Sequence, residues 1–327
     1  MNRRMNLQAI LQPIDKELDR FDDRFRTAIR SNVAFVDMIA RYIVKQKGKR
    51  IRPALVLLTA KACGEVNEST YRGASLVEIL HTATLIHDDV VDDADTRRGL
   101  ASINAVWKNK IAVLMGDYML AKGLLLSIDN GDFHFLQITS DAVRRMSEAE
   151  ILQIAKSRDL DIDEKTYFKI ISDKTASLLS TCCRIGAASA TSDPETLERM
   201  KIFGENIGMV FQIRDDLLDY TGRKSITGKP TGLDLKEKKL TLPLIYSLTQ
   251  SPRSRSKQIL KIIKNGAKTK ELQAVVEFAH EFGGIRYTIE KAEYFSKLAL
   301  QALEPLPYSP SKESLTQFVD YVMDRTK

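Results

Sequence analysis

Residues 85–99, LIHDDVVDDADTRRG, carry Asp88, Asp89, Asp92 and Asp93 within six positions and follow them with Arg97 and Arg98. On a helix Asp88 and Asp92 share a face, as do Asp89 and Asp93, and like charges at that spacing repel unless a cation lies between them. A second cluster, Asp215, Asp216 and Asp219, stands in GMVFQIRDDLLDYTG with the same grammar, an apolar helix ending in DDxxD before a glycine. No His/Cys cluster suggests zinc, and the looped ligand series of an EF-hand is absent. The remaining candidate is Mg²⁺, a hard cation commonly held by one or two carboxylates plus phosphate oxygens of a substrate. Two carboxylate walls around such ions would offset the repulsion within each cluster.

Basic residues supply the complementary half. The net charge is +7, but Lys and Arg are scattered, with local knots at KQKGKRIR, TRRG and KEKK. Nucleic-acid binding would want a dense basic stripe with interleaved aromatics. Short knots suit small anion sites for a phosphorylated substrate, with no nucleic-acid partner.

These side chains must be carried by helices. Among 327 residues, 43% are hydrophobic and 28% charged, while glycine (16) and proline (9) are scarce. Ile10, Ile14, Leu18, Phe21, Phe25 and Ile29 recur at steps of three and four, the signature of an apolar helix face. The pattern predicts further helices around 33–45, 53–63, 71–93, 101–127, 133–156, 166–190, 195–219, 241–249, 256–264, 269–282, 285–303 and 311–325. No stretch alternates at period two, so the fold expected is all-α, one domain over 1–327, a helical bundle around a central cavity. VEILHTATLIHDDVV and TASLLSTCCRIGAASA are apolar on most faces and belong at its centre. No apolar run reaches the ~18 residues of a membrane span, and the charged N-terminus lacks a secretory core. These features predict a cytoplasmic protein without stable membrane insertion. Cys63, Cys182 and Cys183 lack zinc-site spacing and read as reduced structural thiols.

With the motifs taken in order, the chain resembles the trans-polyprenyl diphosphate synthases, which elongate isoprenoids. The resemblance runs through GKRIRP (48–53), HTATLIHDDVVDDADTRRG (81–99), GD (116–117), KTA (174–176), GMVFQIRDDLLDYTG (208–222) and GKPTGLDLKEKKLTLPLIY (228–246). It implies Mg²⁺-dependent condensation of isopentenyl diphosphate with an allylic diphosphate, in a homodimer. Asp88, Asp92, Asp215 and Asp219 would be metal ligands, with Asp89 and Asp216 in support. Lys49, Arg52, His81 and Arg98 match the site for the isopentenyl head group. Arg97, Lys174, Thr175, Gln212, Lys229 and Lys239 match contacts to the allylic diphosphate. The family usually has glycine before the last of these lysines; here Lys238 precedes Lys239, so either can be the one that reaches the substrate.

The resemblance also bears on product length. Aromatics four and five residues before the first aspartate motif close the product tunnel early in this family. Here Thr84 and Ala83 stand there, which resembles medium- to long-chain members that make quinone side chains. Deeper residues, Leu76, Ile79, Leu80, Met115, Met119 and Leu126, are candidates for the floor. The rival readings are a short-chain synthase, a class I terpene cyclase, or a non-catalytic synthase subunit. A cyclase would not need Lys49, Arg52 and His81, and a non-catalytic subunit typically loses one aspartate motif.

Overall fold

A computed structural model describes residues 6–46, 48–221, 239–266 and 269–324. The architecture is all-α. A short α1 (Leu7–Leu11), capped by the Asn6 side chain, and α2 (Asp15–Ala28) are joined by a 3₁₀ turn at Gln12–Ile14. Pro13 lacks an N–H to continue the helix, so the expected stripe from Ile10 to Ile29 is bent there; it still buries Ile10, Ile14, Leu18, Phe21 and Ile29. Then come α3 (Ala34–Lys45), α4 (Ile51–Cys63) and α5 (Glu68–Val91). A two-residue hairpin, β1 (Thr96–Arg97) against β2 (Leu100–Ala101), leads to α6 (Ile103–Ile128) and α7 (Phe133–Asp159). Beyond them lie α8 (Glu164–Ile171), a π turn (Ser172–Ala176), α9 (Ser177–Ala190) and α10 (Pro194–Thr221). The chain ends with α11 (Leu242–Gln250), α12 (Arg253–Lys264), α13 (Thr269–Glu281), α14 (Gly284–Leu303) and α15 (Pro310–Met323).

The apolar α5 runs through the centre, between α6 on one side and α4 and α9 on the other. Its start is fixed by a capping box: Asn67 Oδ1 accepts from Thr70 N–H, and Thr70 Oγ1 accepts from Asn67 N–H, both at 3.1 Å. Three apolar clusters surround it. One joins α1, α2, α4, α5, α7, α9, α10, α14 and α15; a second joins α8 and α10 to α11–α14; a third joins α2, α3, α5 and α6.

Four features depart from the sequence reading. The helix expected over 166–190 is interrupted by the π turn, which carries Lys174 and Thr175. The helix expected over 101–127 bends at Lys108, whose φ of 72° and ψ of 160° are not helical. The hairpin is strand structure that no alternation announced. Contrary to the expectation about membrane spans, α6 is long and apolar enough to cross a membrane by length and composition, with a mean hydropathy of 1.6 over its most apolar stretch. It is apolar on two sides because one face packs on α5, while Val106, Val113, Leu114, Leu124, Leu125 and Ile128 are exposed. The cysteines are free thiols; Cys182 and Cys183 are buried, and burial pushes the thiols of Cys63 and Cys183 up to about 12.

Candidate active site

The first aspartate cluster straddles the end of α5. Asp92 caps the helix, and its N–H donates to Asp88 C=O at 2.8 Å. Asp93 then turns left-handed with φ 49°, a conformation Asp tolerates better than most residues. Ala94 N–H reaches back to Asp89 C=O at 2.9 Å, the six-to-one bond of a Schellman end. Asp88 and Asp92 therefore share the expected face, whereas Asp93 leaves the helix and is not stacked on Asp89. Among the described residues the Asp88 and Asp92 carboxylates make no hydrogen bond or ion pair. Asp89 differs: it is 3% exposed and accepts from Arg97 Nε at 2.8 Å, with a second, shorter contact from Arg97 Nη2. Asn104 Nδ2 donates to the Asp89 and Ala94 carbonyls at 3.1 and 3.2 Å and locks the turn.

The hairpin carries Arg97 and Arg98 back over the helix ends. Its two-residue loop, Arg98–Gly99, has φ of 51° and 80°, the left-handed pair that suits a tight hairpin. Tyr42 and Gln46 of the α3 region donate to Ala101 C=O at 2.8 and 3.1 Å. Arg98 Nη1 donates to Gln46 C=O at 3.0 Å. Its guanidinium lies over Gly48, where an added Cβ would come within 2.6 Å of it. A side chain at Gly48 would push the Arg98 guanidinium aside, so the glycine of GKRIRP lets that guanidinium rest over the loop.

Beneath that contact lies a cationic cleft lined by Gly48, Lys49, Arg50, Arg52, Glu78 and Arg98. Arg50 is left-handed at the start of α4 and pairs with Asp22 at 3.0 Å. Arg52 Nε is buried and has no hydrogen-bond partner among the described residues. Burial works against the charge on Arg52, and Glu78 offsets part of that. Glu78 in turn is pushed up by burial and pulled down by Arg52 and Arg98. His81 is buried at 7% exposure; burial, then the nearby Arg52, Arg98 and Arg97, hold it well below the usual imidazole range. It is a neutral ring, able to hydrogen-bond without adding charge. A guanidinium whose enclosed Nε has no hydrogen-bond partner among the described residues fits an incoming anion.

The second cluster ends α10. Gly208 lets that helix reach the π turn, since a Cβ there would stand 2.4 Å from Ala176 Cα. The approach brings Thr175 Oγ1 within 2.8 Å of Gln212 Oε1. Gln212 Nε2 donates to Asp216 Oδ1 at 2.7 Å, and Tyr167 O–H donates to Asp216 Oδ2 at 2.6 Å. Asp216 is thus 5% exposed and tied on both oxygens. Lys174, Thr175, Gln212, Asp216, Lys239 and Tyr167 line one cavity. Lys174 Nζ bonds Gln153 Oε1 at 2.8 Å and Glu150 Oε2 at 2.5 Å, both from α7. It also joins the two clusters. Partial enclosure, then Glu150 and Asp92, push the Asp88 carboxyl above its ordinary range, while Lys174 and Arg97 oppose them. Lys174 thus lines the second cavity with Thr175, Gln212 and Asp216, and its charge also acts on Asp88 of the first cluster.

Residues 33–281 match the Polyprenyl synthetase family model. The chain belongs to the polyprenyl synthetase family. It is 37% identical to the all-trans-nonaprenyl-diphosphate synthase (geranyl-diphosphate specific) of Rhodobacter capsulatus, over 97% of this chain and 98% of that one. It is 33% identical to the octaprenyl diphosphate synthase of Escherichia coli K12, over 99% of this chain and 100% of that one. The polyprenyl synthase of Caulobacter crescentus, solved with calcium and isoprenyl diphosphate, superimposes with a TM-score of 0.90 at 29% identity, covering 100% of both chains. The chain is accordingly an enzyme, a prenyltransferase of isoprenoid synthesis, and its helical bundle is that of the family.

Against the residues singled out in the sequence, Lys49, Arg52, His81 and Arg98 come together around the cationic cleft, and Lys174, Thr175, Gln212 and Lys239 around the other cavity. Lys229 and Lys238 lie outside the described residues. Ala83 is fully buried in the cluster of α2, α3, α5 and α6, beside Ile79, Met115 and Met119. Leu76 and Leu80 belong to the first cluster instead. Thr84 is half-buried and bonds back to His81 C=O at 2.8 Å. Glu78, Glu150, Gln153 and Tyr167 were not anticipated. Only Glu78 carried a signal, an acid on the apolar α5 one turn before His81.

Among the described residues no three His, Cys, Asp or Glu side chains converge as a preformed metal site. Two carboxylates on one helix face, without a hydrogen bond or ion pair among the described residues, still fit Mg²⁺, which retains open positions for water and phosphate oxygens.

Proposed function

We propose that this enzyme condenses isopentenyl diphosphate with an allylic diphosphate to make a medium- to long-chain all-trans polyprenyl diphosphate. The observation that carries this is the pair of separate anion sites, the cleft of Arg52 and Arg98 and the cavity of Lys174, Thr175 and Gln212, with Lys174 also acting on Asp88. Two anionic substrates need two such sites. Asp88, Asp92, Asp215 and Asp219 would hold Mg²⁺, which when bound supplies Lewis-acid stabilisation of the leaving diphosphate. The calcium and isoprenyl diphosphate of the Caulobacter structure support a divalent cation with a diphosphate in this fold.

The chain's own residues do the rest. Arg97 and Lys174 neutralise the departing charge. Asp89 orients Arg97, and Asp216 orients Gln212, so the inner aspartates act through their partners. Neutral His81 accompanies Arg52 without adding a charge. The apolar flanks of α5 keep water from the allylic cation. The isopentenyl double bond attacks that cation, and the proton then lost goes to the departing diphosphate, so no protein base is required. Small residues at Ala83 and Thr84, with nonaprenyl and octaprenyl synthases among the relatives, support a long product, here read as one for a quinone side chain. The exposed apolar faces of α6 and α7, including Leu114, Leu125, Ile151 and Ile154, support a homodimer that covers them; a cytoplasmic location and a single domain over 1–327 are part of the same proposal, from the sequence alone.

The test is incubation with labelled isopentenyl diphosphate, geranyl or farnesyl primer and Mg²⁺, with product sizing. Asp88→Ala and Asp215→Ala should each lower turnover by orders of magnitude with the fold retained, since metal stabilisation of the leaving group contributes several kcal/mol. Near-normal turnover in either would refute the shared metal site.

A further inference from the structure

We propose that Glu150 is a positioning residue that stands in for the anionic substrate on Lys174 and sets how readily that lysine takes up a diphosphate. The inference rests on the reading of the site given above. Lys174 rises from the π turn, whose backbone is fixed from behind: Asp173 pairs with Arg145 at 2.7 Å and Lys169 at 2.8 Å, and Ser172 bonds Glu205 at 2.9 Å. The root of the lysine is held by that network. Its tip is held by α7, through Glu150 at 2.5 Å and Gln153 at 2.8 Å, three residues apart on one helix face.

The two holders differ in kind. Gln153 is a neutral acceptor and can keep its bond when an anion arrives. Glu150 carries a full charge, shares the ammonium's surroundings with Asp88, and competes directly with a diphosphate oxygen for the same N–H groups. Without substrate, its carboxylate holds the ammonium beside α7 at the cavity lining. With substrate, it must yield part of that contact, and it repels the newcomer. Glu150 therefore both aims Lys174 and weakens the affinity for diphosphate, which favours release of the pyrophosphate product.

Two substitutions separate this from a structural role. Glu150→Gln keeps an acceptor for the lysine and removes the competing charge, so magnesium pyrophosphate should bind about fivefold tighter, the size expected of a half-exposed ion pair. Gln153→Glu adds a second competing charge and should weaken binding by about the same factor. The KM for the allylic diphosphate should move in the same two directions. A merely structural contact would weaken binding in both variants. The measurement is calorimetric titration of the full chain with inorganic pyrophosphate in excess Mg²⁺, with Tm followed alongside. Unchanged or weaker affinity in Glu150→Gln, with normal wild-type binding, overturns the inference alone. Absence of binding by the wild type overturns the reading of the site, and the inference with it.

Discussion

Replacing Arg52 by methionine should separate substrate recognition from folding. The long side-chain stem is retained, so packing between α4 and α5 changes little, while the guanidinium is removed. A hydrogen bond to a charged group contributes about 1.5–3 kcal/mol, and about 1.4 kcal/mol corresponds to a factor of ten. The KM for isopentenyl diphosphate should therefore rise roughly ten- to a hundredfold. The KM for the allylic primer should stay within about twofold, because Lys174, Thr175 and Gln212 line the other cavity. Stability should hardly move. Arg52 Nε has no hydrogen-bond partner to lose among the described residues, and burial already works against its charge. Glu78 loses a counter-charge, but burial has pushed its carboxyl upward, so it can respond by binding a proton. Initial rates with each substrate varied in turn, together with Tm, test this. An equal rise in both KM values, or no rise in either, would refute the assignment. A large fall in Tm would mean that Arg52 is chiefly a structural cation.

Ala83→Phe introduces a ring where Ala83 has no exposed surface, five residues or ~7–8 Å along α5 from Asp88. Overpacking should cost ~1–3 kcal/mol of stability and shift products towards geranyl or farnesyl lengths; an active variant with unchanged products would mean that the tail runs elsewhere. Lys108 is exposed and has φ 72° and ψ 160°, a region that is essentially glycine's alone and costs of order 1–3 kcal/mol for other residues. Lys108→Gly should raise the unfolding free energy by ~1 kcal/mol after the extra chain entropy of glycine is subtracted, read by urea denaturation; a lower midpoint would refute the strain.

Much of this site is local in sequence, and for that reason legible there. The i, i+4 spacing of Asp88 and Asp92 puts them on one face of any helix, and both remain open on the surface of α5. The near-uniform apolarity of α5 and α9 requires a central place in a bundle. The i, i+4 spacing of Gln212 and Asp216 likewise makes their hydrogen bond a property of the helix. The resemblance carried by GKRIRP and the two aspartate motifs supplied the grouping of the cations.

What local pattern cannot contain is partner choice across the fold. Asp89 and Asp88 are neighbours of the same type, yet one is clamped by Arg97 and the other faces the cleft. The difference depends on a Schellman end and a hairpin that fold the chain back. Asp216 is held by Tyr167 from 49 residues away, and Lys174 by Glu150 and Gln153 on α7. The π turn that aims Lys174 owes its place to Gly208 allowing α10 close and to Arg145 and Glu205 behind it. Glu78 becomes an enclosed counter-charge only when α4 and the hairpin bring Arg52 and Arg98 to it. The sequence by itself determined which groups can bind metal and phosphate, because residue type and helical period are local. Tertiary structure decided which of them stay open to substrate and which are spent on positioning, because burial and charge pairing depend on what packs opposite.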